Sequence, residues 1–212
     1  MKRVQLKDTV TLQTNLSLDR SYIVYEIEST ASGNTYYRIE NDAKQVVPYD
    51  STLFVLVSDK LYGEWTVLNK SNQLSARVPG DFAYIPFWEE FYSDDPRALR
   101  AFRQVKARFY LAELEAFEIK DILKSNNEDE IYFVFNMLIH AKCDMFIYEV
   151  IQFAKTRLVE HTYSEDDMLI TAFEYLSLFK EEHIHAFFID HLTNIELGND
   201  KQTKILSNYF AS

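Results

Sequence analysis

Asn69-Lys70-Ser71-Asn72-Gln73-Leu74-Ser75-Ala76-Arg77-Val78-Pro79-Gly80-Asp81 separates two parts of the chain written in different periods. The stretch is polar and rich in turn formers: Asn and Ser bond locally to backbone, and Pro-Gly breaks regular structure. On its N-terminal side apolar residues alternate with polar ones, the period of a half-buried strand. On its C-terminal side they recur every three to four residues, the period of an amphipathic helix. Strands before the break and helices after it read as α+β by segregation. Residues 1–78 are expected to form a small β domain, 79–96 a connector of aromatics and acids, and 97–212 an all-helical domain.

On the strand side, Val10-Thr11-Leu12-Gln13-Thr14 and Tyr22-Ile23-Val24-Tyr25-Glu26-Ile27 alternate, and 36–40, 46–47, 53–57 and 65–68 continue the series with β-branched and aromatic residues. Turn chemistry separates them at 15–20, Ser32-Gly33-Asn34, Asn41-Asp42-Ala43-Lys44 and Pro48-Tyr49-Asp50. Five or six short strands in about sixty residues predict a small antiparallel barrel or meander. The succession of 22–27, 36–42, then Tyr49 leading into Phe54-Val55-Leu56-Val57 resembles the SH3-like barrels of bacterial proteins. That resemblance implies a fold class and carries no function.

On the helix side, Ile147, Val150, Ile151, Ala154 and Leu158 make one apolar stripe. Met168, Ala172, Tyr175, Leu176 and Phe179 make another, and Ile184, Phe187, Phe188, His191, Leu192 and Ile195 a third. Capping patterns mark helix starts at Asn127-Glu128-Asp129-Glu130, Ser164-Glu165-Asp166-Asp167 and Asn199-Asp200-Lys201-Gln202. Asp95 followed by Pro96 marks an earlier one. At an offset of 37 residues Ile131 aligns with Met168, Ile139 with Leu176, Ile147 with Ile184 and Ile151 with Phe188. That interval holds a helix pair, and with the tetratricopeptide Trp, Gly and Pro positions absent it predicts HEAT-like hairpins.

Composition bounds the function. A chain of 212 residues can bury a core without disulfides. With 47% hydrophobic residues, including 16 Phe, 14 Tyr and 2 Trp, it is not a disordered tail. Only 4 Gly and 4 Pro exclude collagen-like and glycine-loop architectures. Cys143, the one cysteine, makes neither an internal disulfide nor a Cys-based zinc site. The net charge of −11, from 22 Lys+Arg against 33 Asp+Glu, disfavours nucleic acid as a partner, because tracking phosphates needs a cationic surplus. Met1-Lys2-Arg3 opens like a signal peptide, yet Gln5, Lys7, Asp8, Thr9 and Thr11 interrupt any apolar core behind it. The apolar runs at 53–57 and 131–135 fall far short of the ~20 residues that span a bilayer. No membrane association is expected, and the cytoplasm is the expected compartment.

Few residues point to chemistry. Glu182-His183-Ile184-His185 contains one Glu-x-x-His, which sets Glu182 and His185 on one helix face. Di-iron bundles use two such motifs with two further Glu, and no second occurs. His191 lies in an apolar stripe, as a core histidine does. His183 and His185 point about 200° apart around a helix. A metal-dependent enzyme or regulator built on Glu182, His185 and His191 is the alternative reading; the expectation is no metal and no cofactor. Gly-x-Ser-x-Gly, Walker A and Gly-x-Gly-x-x-Gly are all absent. Cys143 opens a predicted helix between Lys142 and Asp144, whose charges act oppositely on its thiol. The carboxylate pairs Glu89-Glu90, Asp94-Asp95 and Glu181-Glu182 mark solvated faces rather than an acid/base couple. No catalytic residue is expected.

The connector is the most distinctive segment. Tyr84-Ile85-Pro86-Phe87-Trp88-Glu89-Glu90-Phe91-Tyr92-Ser93-Asp94-Asp95 sets five aromatics among four acids. The helix after it carries Arg97, Arg100, Arg103, Lys106 and Arg108 around a stripe of Leu99, Phe102, Val105 and Phe109. Either the aromatics wedge strands onto helices, or they anchor an interface. Residues 1–78 hold 9 Lys+Arg and 9 Asp+Glu, whereas 79–212 hold 13 and 24. An acidic helical half suits a basic protein partner, although acidity also serves solubility. The expected partner-binding residues are Trp88, Glu89, Glu90, Phe91, Tyr92, Asp94 and Asp95 in the connector. Glu128, Asp129, Glu130, Glu165, Asp166 and Asp167 at the helix starts complete the set.

This acidic helical half beside the 88–95 segment is similar to the immunity proteins of bacterial toxin systems. The resemblance implies a non-catalytic inhibitor that binds a basic cognate toxin and covers its active site or blocks its assembly. A peptide-binding scaffold, with the β domain as receptor and the helices as spacer, is a further reading.

Overall fold

The computed structural model describes residues 2–7, 15–18, 20–59, 63–71, 74–160, 166–194 and 200–211. β2 (Ser21–Thr30) is the axis of its antiparallel sheet. One edge of β2 pairs with β3 (Thr35–Glu40). Its other edge is shared: β1 (Lys2–Leu6) takes the first half and β7 (Leu74–Pro79) the second. Outward from there, β4 (Val46–Asp50) pairs with β3, β5 (Phe54–Ser58) with β1 and β6 (Trp65–Ser71) with β7. The β2–β3 turn uses Gly33 at φ +88, a left-handed conformation that favours glycine. The β3–β4 turn is held by Asn41, whose side-chain oxygen accepts from the backbone N–H of Gln45.

The strand order along the main path is β4-β3-β2-β1-β5, and among the described residues no pairing joins β4 to β5, so the sheet is open rather than a closed barrel. The physical reason lies between those strands. A 3₁₀ turn (Ser51–Leu53), capped by the Asp50 carboxylate, carries β4 into β5. Side chains meet there instead of backbones: the Phe54 ring lies 6.2 Å from Tyr37 and 6.4 Å from Tyr49. Val4, Leu6, Leu16, Tyr22, Val24, Ile39 and Phe54 form the core on this face. The strand expected at 10–14 lies outside the described residues.

The polar 69–81 stretch does not end the sheet. It supplies the end of β6 and all of β7, so the break expected at 78 falls inside a strand. The chain divides into compact units at Met1–Glu113 and Leu114–Ser212. α1 (Phe87–Tyr92) and α2 (Pro96–Glu113) therefore belong with the sheet, and the expected helical domain from 97 starts one helix later. The Asp95-Pro96 signal holds: Pro96 opens α2, and Asp95 accepts from the backbone N–H groups of Arg97 (2.8 Å) and Ala98 (3.2 Å). Ala98, Phe102, Val105 and Phe109 belong to the buried stripe of α2, and the Tyr25 ring of β2 packs tilted against Phe102 with centroids 4.8 Å apart.

The second unit contains α3 (Ala116–Leu123), α4 (Glu128–Ala141), α5 (Ile147–Glu160), α6 (Asp167–Ser177), α7 (Glu182–Asn194) and α8 (Asp200–Ala211). α4 packs on α6 and α6 on α8, while α3 packs on α5 and α5 on α7. α6 is buried from Met168 to Phe173 and again at Tyr175 and Leu176, apolar around most of its circumference, with Asp167 and Glu174 left exposed. Three of the four pairs at the 37-residue offset are buried at both members, Ile131 and Met168, Ile147 and Ile184, and Ile151 and Phe188, whereas in the fourth Leu176 is buried and Ile139 only half-buried. Asn127 caps α4 by accepting from the N–H of Glu130, as its sequence predicts. Ser164 lies outside the described residues, and the cap of α6 is Asp166 instead, which accepts from Met168 (2.9 Å) and Leu169 (3.2 Å). Asp166→Ala removes that cap and is expected to cost about 1 kcal/mol, read as a lower urea midpoint in helical circular dichroism. Among the described residues no helix is long and apolar enough to cross a membrane.

Candidate functional site

The connector aromatics are mostly spent on the core. Phe82, Phe87, Trp88, Phe91 and Phe102 form a ring cluster with centroids 4.1 to 6.4 Å apart. Trp88 is only 8% exposed, so its side chain serves the core and offers no surface anchor. The Arg38 guanidinium lies over its ring, 4.6 Å from the centroid. Arg38 also donates to Glu26 (2.6 Å) and to the Tyr92 hydroxyl (2.7 Å), which in turn donates to the Val46 carbonyl. Lys70 meets the other Glu26 oxygen at 2.6 Å. One polar network thus joins β2, β3, β4, β6 and α1. Phe91 is half-buried and Tyr92 has an exposed ring edge with an anchored hydroxyl.

The connector acids have varied duties. Asp95 caps α2, and its hydrogen bonds from Arg97 and Ala98 hold its carboxyl below the usual carboxylate range. Glu90 accepts from the Tyr84 hydroxyl and approaches Arg97 at 3.9 Å. Glu89 and Asp94 are exposed, Asp94 in the left-handed region at φ 58 that Asp tolerates. Among the cations of α2, Lys106 is buried against Glu40 at 2.6 Å and Arg108 pairs with Asp81.

The acidic helix starts divide: Glu130 and Asp166 turn inward, while Glu128, Asp129 and Asp167 stay exposed. Glu130 is buried, and Asp166 is sheltered as a cap with Arg157 at 3.5 Å. Arg157 reaches Glu128 at 2.6 Å, joining the starts of α4 and α6. Asp167 faces Lys201 at 3.7 Å, Asp129 is exposed, and Glu165 lies outside the described residues. Acids at these positions complement helix N-termini, which accounts for most of the pattern without a partner.

Glu182, His185 and His191 do not converge. Glu182 and His185 are exposed on α7, with the His185 ring 5.0 Å from Phe210. His191 is buried edge-on against Phe173 at 4.8 Å. Among the described residues no group of three His, Cys, Asp or Glu side chains is placed to hold a metal ion. Cys143 lies in the turn between α4 and α5, not at a helix start, and its carbonyl accepts from the Tyr175 hydroxyl at 2.6 Å.

Burial holds the His191 pKa below its ordinary value, with a hydrogen bond to Gln202 acting the other way. Folded His191 therefore resists a proton that the unfolded chain accepts near its ordinary pKa of about 6.5. Its contribution to stability is full above that pH and is lost as pH falls through it towards the lower folded value. His191→Phe is expected to flatten this part of the melting-temperature profile between pH 7 and about 5, measured against the wild-type chain in helical circular dichroism.

What the helical unit presents to solvent was hidden in its sequence. Phe117 of α3 and Met145 and Tyr148 beside the start of α5 are each exposed by more than three-fifths. Lys120 and Glu149 tie these two helices with a 2.7 Å ion pair. Burial is the largest single influence on the Glu149 carboxyl and pushes its pKa up, but the Lys120 hydrogen bond, its own backbone N–H and the charges of Lys120 and Lys124 together make the net shift downward. The signal available was position: Tyr148 falls off the 147/150/151/154 stripe. The unit boundary also redistributes charge. Met1–Glu113 holds 14 Lys+Arg against 15 Asp+Glu, net −1, and Leu114–Ser212 holds 8 against 18, net −10. No protein-family model matches this sequence, and comparison with curated proteins and with solved structures gave no match.

Proposed function

We propose that this chain is a non-catalytic protein-binding protein whose helical unit takes a basic protein partner, most specifically a cognate bacterial toxin that it neutralises. The observation that carries the reading is the charge division: ten of the eleven surplus negative charges fall on the 99 residues of Leu114–Ser212. Such a field speeds encounter with a cationic partner and rejects acidic ones. Phe117, Met145 and Tyr148 add exposed side chains of the kinds that anchor interfaces. The β domain expected at 1–78 is SH3-like in strand succession although its sheet is open, a reading supported by the meander β2-β3-β4, the 3₁₀ turn before β5 and the return of β5 to β1. The second unit is a short HEAT-like stack, supported by its rows α4-α6-α8 and α3-α5-α7.

Rescue of toxicity tests the function. The product of the gene adjacent to this one is expressed alone, then together with this chain. The expected result is growth arrest relieved by co-expression, and weaker relief by a variant carrying Asp129→Lys, Asp144→Lys and Glu174→Lys, three exposed acids of the helical unit. A harmless neighbour, or arrest unchanged by co-expression, overturns the immunity reading. Relief undiminished by the triple variant overturns the role given to the acidic unit.

A further inference from the structure

The start of α3, the turn between α4 and α5, and the start of α5 meet at one end of the helical unit. Only Lys124 to Asn127 separate α3 from α4, a short hairpin that sets the start of α3 beside the end of α4. Lys120, one turn after Phe117, bonds Glu149 at 2.7 Å, and Glu149 follows Met145 by one turn and adjoins Tyr148. Phe117, Met145 and Tyr148 are 63%, 65% and 67% exposed. The chain is described without interruption from Leu114 to Glu160. Asp166 and Asp200, where it resumes after 161–165 and 195–199, lie towards the other end of α5. There Asp166 meets Arg157 at 3.5 Å, and Lys201 meets Asp167 at 3.7 Å.

The turn that presents Met145 is fixed. Lys142, left-handed at φ 47, closes α4, and the N–H groups of Lys142 and Cys143 reach the Ile139 and Leu138 carbonyls. From α6 the Tyr175 hydroxyl donates to the Cys143 carbonyl at 2.6 Å. A side chain held out on such a turn loses little freedom when a partner covers it.

The groups around Met145 are also unengaged. Among the described residues, Phe117 and Tyr148 neither stack on another ring nor lie under a cation, and the exposed carboxylates of Asp121 and Asp144 stand in no ion pair. Residues 115–121 and 142–149 carry five carboxylates against two lysines, of which Lys120 is committed to Glu149. The carbonyl end of α4 adds to this negative surplus. Open ring faces beside unpaired carboxylates suit a guanidinium, which stacks flat on a ring and forks onto a carboxylate. An ammonium is more strongly hydrated and gains less from either.

We propose that this end of the helical unit is a docking surface for an arginine-bearing segment of a protein partner. Its guanidinium groups meet Asp121, Asp144 and the ring faces of Phe117 and Tyr148, and an apolar side chain beside them seats on Met145. The inference rests on the reading of the helical unit as the part that takes a basic protein, and it names the place and the cation.

Calorimetric titration of the full chain with a peptide of repeated Arg-Leu pairs tests it, against a Lys-Leu peptide of the same length. The wild-type chain is expected to bind the Arg-Leu peptide more tightly than the Lys-Leu one. Phe117→Ser with Tyr148→Ser is expected to weaken the Arg-Leu peptide about tenfold, and Asp121→Lys with Asp144→Lys by as much. Val159→Ser and Asp129→Lys, exposed positions elsewhere on the same acidic unit, are expected to change it less than about twofold. Amide NMR shifts of the wild-type chain need no variant, and should centre on 117–121 and 142–149. Absence of binding, equal affinity for the two peptides, equal loss in the two control variants, or shifts centred elsewhere each overturns the proposal. None of these readings uses the adjacent gene. A harmless neighbour with this binding intact removes the toxin reading alone, whereas full relief of toxicity by the chain carrying Phe117→Ser and Tyr148→Ser removes this docking surface alone.

Discussion

Phe102→Ala is expected to destabilise the sheet-containing unit by about 3–5 kcal/mol. Phe102 is buried on α2 with Tyr25 and Phe91 at 4.8 Å, Phe82 at 6.2 Å and Trp88 at 6.4 Å. Truncation leaves a void that rings from β2, the 3₁₀ turn Gly80–Phe82 and α1 cannot collapse into, because each is fixed by its own element. A loss of this size is a large share of the roughly 5–15 kcal/mol that holds a typical domain. Both tryptophans, Trp65 and Trp88, lie in this unit, so tryptophan fluorescence in urea reads it separately. The midpoint of that transition should fall far more than the circular dichroism of the helical unit. A change under about 1.5 kcal/mol, the range of well-tolerated core swaps, would show that the aromatic cluster does not bind α2 to the sheet.

Glu26→Leu is expected to cost about 3 kcal/mol or more, because it leaves the Arg38 guanidinium buried without its carboxylate. Glu26 is wholly buried, and its two oxygens are met by Arg38 and Lys70 at 2.6 Å each. Lys70 keeps a second partner in Glu28 at 3.0 Å, whereas among the described residues Arg38 keeps only the Tyr92 hydroxyl and the face of Trp88. The penalty therefore comes from the orphaned arginine rather than from the attraction lost. The double variant Glu26→Leu with Arg38→Met should recover much of the stability, since a buried ion pair is often replaceable by well-packed apolar residues. A double variant no better than the single would place the cost in packing instead.

Much of the architecture was legible because local chemistry and tertiary structure agree. The alternation at 22–27 and 36–40 became β2 and β3, and the turn residues Ser32-Gly33-Asn34 and 41–44 lie between the strands they were expected to separate. Asp95 and Asn127 cap the helices they precede. β7 was missed because Leu74, Ala76 and Val78 alternate with small and polar residues inside a stretch dominated by turn formers. A strand of that composition persists because β2 and β6 flank it on both edges. β1 was missed because Lys2 and Arg3 read as the start of a leader, yet Val4 and Leu6 enter the core and Arg3 reaches the Glu113 carbonyl at 2.9 Å.

The candidate site divides the same way. Charge and residue type name the acids of the helix starts, but not their work: Glu130 turns inward, Asp166 caps, and Arg157 draws Glu128 to itself. Trp88 reads as an interface anchor by type and is buried under Arg38 in fact. By itself the sequence determined the α+β class, the short strands, the helix periods and the excess of negative charge, since each follows from interactions within a few residues or from counting. Tertiary structure alone decided that α2 belongs to the sheet, that the sheet stays open, and that ten surplus charges fall on one unit. It also decided that Val55, Leu56 and Val57 stand in water, because burial depends on what distant segments bring to a surface, and no local period encodes that.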